Sequence, residues 1–181
     1  MPLIHVNAGP TGPVLHDGAG DPALALPGLL RGRGPVILMV HGFKYAPHHA
    51  TECPHDHIFS LAPERRCFKV RSWPAGLGFG TGAVDEGLGI AFGWPARGNI
   101  WRAYAEAAKA GAQLAQLITM IRAVRPDRPI HAVAHSLGAR VVLSALAHLP
   151  KGAMRRLILL AGAEFGQRAA AALDTPAGRG V

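Results

Sequence analysis

The sequence predicts an α/β fold: a mainly parallel sheet with helices on both faces, in a single domain over residues 1–181. Three observations predict it. Val36-Ile-Leu-Met-Val40 is an unbroken apolar run closed by His41-Gly42, which suits a strand buried on both faces rather than one with a wet side. Short runs of this kind alternate with stretches of helical period, the pattern of strands joined by crossover helices. The 23 glycines and 15 prolines call for many tight turns and argue against a helical bundle.

The elements follow in order. Residues 1–34 are rich in Gly and Pro and read as an irregular lead-in with one extended edge-strand candidate at Leu3–Val6; residues 35–165 carry the core. The apolar run is the first buried strand. Cys67–Trp73, which alternates apolar and polar residues until Pro74, is the second. The glycine-rich stretch from Pro74 to Gly98 fits neither period and is expected to be a long ordered loop, a kind of segment that is often functional. Asn99 is a plausible N-cap, and Trp101, Tyr104, Ala108, Gly111, Ala115, Ile118 and Ile121 then fall on one face of a long helix that stops before Pro126. Pro129–Ser136 is a third strand and Leu137–Leu149 a buried helix. Leu157–Ala161 is a fourth strand and Phe165–Leu173 a last helix.

Composition narrows the function. Lys and Arg number 19 against 11 Asp and Glu, for a net charge of +8. The basic residues are scattered singles and pairs, so the stripe that nucleic-acid binding requires is missing. The most apolar stretch, Ile130–Leu149, is interrupted by His131, His135, Ser136, Arg140 and His148 and is unsuited to crossing lipid. The N-terminus has neither a charged region nor an apolar region of a signal peptide, so Cys53 and Cys67 are expected as free thiols in the cytoplasm.

The chemistry is concentrated in Ala134-His135-Ser136-Leu137-Gly138, set between a strand and a helix. A serine there sits on a sharp turn, and its neighbours two before and two after must be small to clear the facing backbone, the logic of G-x-S-x-G. Ala134 is one methyl larger than the pattern and Gly138 matches it. The turn lifts the hydroxyl to the C-terminal edge of the sheet, where open α/β sheets bind ligands, and points a helix N-terminus at the same spot. His41-Gly42-Phe43 ends the first buried strand. An oxyanion needs two converging N–H donors, and the residues in position are Leu137 and Phe43, with Gly42 letting the loop bend.

With these motifs the chain resembles the α/β-hydrolase superfamily. Phe92-Gly-Trp-Pro-Ala-Arg-Gly-Asn99, the long helix after it, and His135-Ser136-Leu137-Gly138 resemble a group of bacterial α/β hydrolases of unassigned function, over about residues 35–165. The resemblance implies a serine hydrolase acting on a carboxylic ester or related small acyl compound through an acyl-enzyme, without cofactor or metal. Ser136 matches the nucleophile, and Phe43 and Leu137 match the oxyanion donors. Glu164 is the acid candidate, since some members carry the acid at the end of that strand; the competing reading is a helix-start carboxylate stabilised by the helix dipole. Asp174 is a second, less well placed acid.

The resemblance also implies a histidine after the nucleophile. His148 is the sole His beyond Ser136, and it lies 12 residues along the same helix, about 18 Å away. His135 should point to the opposite side from Ser136, and His41 should pack or orient the oxyanion loop. The chain is therefore expected to lack the last strands and the catalytic His, as a truncated or degenerate relative, and to turn over weakly or not at all. A non-catalytic binding or scaffold relative and an acyltransferase using the same elbow are the alternatives. Substrate identity and oligomeric state stay open.

Two further motifs are set aside on spacing. His48, His49, Cys53, His55 and His57 crowd ten residues but match no established structural zinc spacing, so they read as a surface loop leaning over the active site. Gly78-x-Gly80-x-x-Ala83 mimics a dinucleotide fingerprint without the helix that should follow it. Trp73, Trp94 and Trp101 read as core or site wall.

Overall fold

A computed structural model describes residues 3–18, 20–64, 70–83 and 86–181. Among these, β1 (Leu3–Ala8), β2 (Pro13–Leu15), β3 (Val36–Val40), β4 (Leu88–Gly93), β5 (Ile130–His135) and β6 (Arg156–Leu160) form one sheet in the order β2-β1-β4-β3-β5-β6. All pairings are parallel except β1 with β2. The helices are α1 (Pro22–Leu29), α2 (Trp73–Gly76), α3 (Ile100–Val124), α4 (Gly138–Leu146) and α5 (Gly166–Leu173), with a closing 3₁₀ turn at Gly178–Gly180. The α/β class with a mostly parallel sheet is thus as the sequence predicts.

Alternate residues of the central strands feed two apolar layers, as a pleat with a period of two requires. Val36, Leu38 and Val40 of β3 and Leu88, Ile90 and Phe92 of β4 join the large core shared with α1, α3 and α4. Met39 and Ala91 face the other way and pack on Ile58 and Phe59, with Trp73 and Tyr45 against them. That second face is covered by the segment after β3 and by short α2 instead of long helices.

Three expectations need correction. The lead-in is not irregular: β1 lies inside the sheet between β2 and β4, and α1 follows, capped by the Asp21 side chain on Ala23 N–H. Of the candidate strand Cys67–Trp73, residues 67–69 lie outside the described residues, residues 70–72 form no strand, and Trp73 opens α2, with Ser72 Oγ capping Ala75 N–H. The Pro74–Gly98 stretch is no continuous loop, since it holds β4, all six residues of which are buried. Its glycines hid the strand because the sheet is crowded there. A Cβ on Gly93 would lie 2.6 Å from His55 Nε2 and 2.7 Å from Asn7 Oδ1, a place where only a bare backbone fits.

The long helix begins and ends as expected, with Asn99 Oδ1 accepting from Arg102 N–H. Its buried face runs through Gly111, Ala115, Ile118 and Ile121, but the first turns bury Ala103, Ala107 and Ala110, leaving Trp101 exposed. Close packing on α4 selects small residues. A Cβ on Gly111 would stand 2.6 Å from Ser144 Cβ and 2.7 Å from Val141 O.

Candidate functional site

Register brings the turns together. Val40 of β3 pairs with Ala134 of β5 and with Phe92 of β4, and His135 pairs with Leu160 of β6. The chain therefore leaves four adjacent strands at one edge, delivering His41–Phe43, Trp94, Ser136 and Glu164 to it. This is the carboxyl edge of the strands, the standard ligand-binding edge of an open parallel sheet.

Ser136 has φ +50°, a left-handed conformation that a non-glycine residue holds only when its surroundings enforce it. The enforcement is visible. Ser136 N–H donates to Leu160 O at 2.9 Å, and its carbonyl accepts from Ala139 and Ala163 N–H at 3.1 and 2.9 Å. Ala161, also left-handed at φ +46°, turns the end of β6 to meet it. The small-residue requirement is real at Gly138, where a Cβ would lie 2.5 Å from the carbonyl oxygens of both Val40 and His41. Gly42 is constrained from the other side, where a Cβ would lie 2.9 Å from Ser136 Cβ and from His135 O. Ala134 is fully buried within β5.

The loop after β3 is held by a buried imidazole. His41 Nδ1 donates to Gly42 O at 2.8 Å, while Nε2 accepts from Trp94 N–H at 3.1 Å. Trp94 Nε1–H returns to His41 O at 2.9 Å, and the two rings stack within 8° of parallel. One ring nitrogen must donate and the other accept, so the neutral imidazole fits and the cation does not. Burial pushes the His41 pKa down to about 4, against the opposing hydrogen bond to Gly42. Beyond it, Lys44 N–H donates to Ala96 O at 2.8 Å and Ala96 N–H to Tyr45 O at 2.9 Å, riveting the loop to the segment after β4. His41 is thus hydrogen-bonded both to its own loop and to the segment after β4.

Phe43 and Leu137 N–H have no hydrogen-bond partner among the described residues, and Phe43 and Ser136 line one cleft of about 460 Å³. Tyr45, Ile58, Trp73 and Leu160 supply its apolar walls, with Lys44 and His135 as polar members. Sequence reasoning missed Tyr45, Ile58 and Leu160 and gave Trp73 only a general wall role; their elements converge solely through the sheet order. His135 is a correction. It lines the same cleft as Ser136, its ring edge-on to Trp73 at 6.5 Å. The left-handed turn at Ser136 ends the strand alternation on which the opposite-side expectation rested. No side chain hydrogen-bonds the Ser136 hydroxyl among the described residues.

Glu164 reaches the same sheet edge but does not line the cleft. Its Oε2 accepts from Arg140 at 2.6 Å and its Oε1 from Tyr104 OH at 2.5 Å and from Phe165 N–H at 2.8 Å. The Arg140 and Glu164 side chains are 9% and 5% exposed, and the Arg140 guanidinium also lies 3.5 Å over the Tyr104 ring centre. Burial alone would raise the Glu164 carboxyl, but the hydrogen bonds from Tyr104, Phe165 and Arg140 outweigh it and hold the pKa below the ordinary value. No imidazole reaches this carboxylate among the described residues. Asp174 is exposed and pairs with Arg179 at 2.9 Å. His148 lines a separate hollow with Ala115 and Thr119. No described helix is long and apolar enough to cross a membrane.

A family model described as "Alpha/beta hydrolase of unknown function (DUF900)" matches residues 30–163. No curated protein and no solved structure gives a significant match. The matched span runs from the end of α1 past β6 and contains the β3 loop and the serine turn. The chain belongs to this family of alpha/beta hydrolases of unknown function.

Proposed function

We propose that the chain is a serine hydrolase in which Ser136 attacks the carbonyl carbon of a small carboxylic ester. The observation that carries this reading is the Ser136 backbone, left-handed at φ +50° with the side chain on an apolar-walled cleft. Such strain at a cleft is maintained only where the surrounding structure over-determines it. In the proposed reaction the Ser136 oxygen bonds to the acyl carbon as its proton passes to solvent, the C–O bond to the alcohol breaks and the alcohol leaves protonated by water, and a second water later releases the acid and restores the Ser136 hydroxyl. The negative charge that develops on the carbonyl oxygen is received by Phe43 and Leu137 N–H, which have no partner to give up among the described residues.

Glu164 enters this reading as a positioning residue, because both its oxygens are used by Arg140, Tyr104 and Phe165. It ties the turn after β6 to α4, whose N-terminus faces the cleft. His135 is the imidazole of the cleft wall, and without a hydrogen bond to Ser136 it contributes little as a base in this conformation. Donors and binding without a full triad still leave about 10³–10⁴-fold acceleration over water, so slow turnover is expected. The unpartnered hydroxyl also favours a second reading, a non-catalytic relative that binds acyl compounds in the same cleft.

Acid quench of the chain during reaction with an activated aryl ester, followed by intact mass, separates the two. The hydrolase reading predicts one acyl group on Ser136 and none on Ser136→Ala. Ester binding without any acyl adduct on the wild type would favour the binding relative.

A further inference from the structure

On the far side of the segment that covers the cleft, the fold gathers a set of donors that the hydrolase reading does not use. Asn7 of β1 is 3% exposed, and its amide is the hub of three imidazoles. Its Oδ1 accepts from His55 Nε2 at 2.7 Å, and its Nδ2 faces His16 Nδ1 at 3.1 Å and His48 Nε2 at 3.3 Å. His16 stacks on His48 and His5 on His55, with centroids 4.4 and 4.8 Å apart, while His16 and His55 lie 4.1 Å apart at a tilt of 35°. His55 is 2% exposed and its Nδ1 has no partner among the described residues. Of the four rings His55 is the buried one, His5 and His16 being half-buried and His48 exposed, and a buried polar atom left without a partner is costly.

At the edge of this stack, His16, Cys53 and Asp56 bring one nitrogen, one sulfur and one oxygen within 4.8 Å of one another. His16 Nε2 and Cys53 Sγ are 3.8 Å apart. Two ligands on a tetrahedral zinc ion, with its ordinary bond lengths to nitrogen and sulfur, stand about 3.6 Å apart. Cys53 is buried and free, whereas Asp56 is exposed at the mouth. We infer that His16, Cys53 and Asp56 form a site for one borderline-soft divalent cation, zinc by preference, with the fourth position open to water.

A thiolate, an imidazole and a carboxylate together select zinc over the hard cations magnesium and calcium. Binding takes the Sγ–H proton from Cys53 and releases it to solvent. For Nε2 of His16 to hold the ion, Nδ1 must carry the ring proton and donate it. The group facing Nδ1 is the Asn7 amide, which provides the acceptor by exchanging its oxygen and nitrogen through a half-turn, the arrangement by which outer groups orient metal-bound imidazoles. The ion would tie His16, just past β2, to the 53–56 segment and so brace Ile58 in the cleft wall. This inference stands apart from the proposed hydrolysis.

Titration of the metal-stripped full chain with cobalt(II), then zinc(II), tests it. The wild type is expected to take up one equivalent of cobalt with a sulfur-to-cobalt charge-transfer band, displaced by zinc. Cys53→Ser should abolish the band, and Asp56→Asn should keep it while weakening zinc binding by about tenfold or more. Cys67→Ser should change neither. Because Asp56 is exposed, its variant reports even if the Cys53 variant fails to fold. No stoichiometric uptake by the wild type, a band that survives Cys53→Ser or is lost in Cys67→Ser, or unchanged zinc affinity in Asp56→Asn would each overturn the site.

Discussion

Gly138 stands directly against the backbone of His41: a Cβ at position 138 would lie 2.5 Å from the His41 carbonyl oxygen. The turn that carries Ser136 and the loop that carries Phe43 are therefore packed main chain to main chain. The spacing between the Ser136 turn and the Phe43 and Leu137 N–H groups is set by two glycines and a buried imidazole.

Gly42→Ala should disturb this packing from the other side. The added methyl would start 2.9 Å from Ser136 Cβ and His135 O, so the elbow or the loop must shift. We expect a stability loss of about 1–3 kcal/mol in urea melts, with any esterase activity lost in larger proportion. Full activity and stability would mean that the two turns move freely past each other.

Removing one partner of the Arg140–Glu164 pair should be costly. Glu164→Gln leaves a nearly buried guanidinium without its counter-charge, and breaking such a pair typically costs about 3–5 kcal/mol. Arg140→Met combined with Glu164→Leu should cost less than the two single changes together. Urea melts of the three variants measure this. Activity lost in Glu164→Gln at unchanged stability would instead make Glu164 an acid of the reaction.

His41 makes stability depend on pH. Its folded pKa of about 4 lies below the ordinary 6.5, so the unfolded chain binds the proton first. The contribution is complete above pH 6.5 and is lost as pH falls from there toward 4, by about 3 kcal/mol in all. In the native protein, NMR of the His41 ring protons should show no titration between pH 8 and 5.5. A midpoint near 6.5 would show that Trp94 and Gly42 do not hold it neutral.

The serine turn was legible because G-x-S-x-G logic is local: strand, left-handed residue and helix lie within a few positions of Ser136. His41, Gly42 and Gly138 were legible for the same reason. β4 was not, because Gly89 and Gly93 remove the apolar pattern at the very places where neighbouring elements press on the strand. The apolar face of α3 was misplaced over its first turns, where alanines rather than large residues make the contact with α4. Glu164 was placed in the right loop, but its partners Tyr104 and Arg140 come from 60 and 24 residues away. The donors around Cys53 were visible as a dense run, yet His16 and Asn7 arrive from the β1–β2 hairpin, so no ligand spacing along the run could reveal them.

The claim on which the function rests is that the Ser136 oxygen is a nucleophile. Incubation with a fluorophosphonate, followed by peptide mapping, tests it most directly. The account predicts slow formation of a single adduct on Ser136 that is absent from Ser136→Ala, whereas no adduct at saturating probe, or one that persists in the variant, would contradict it.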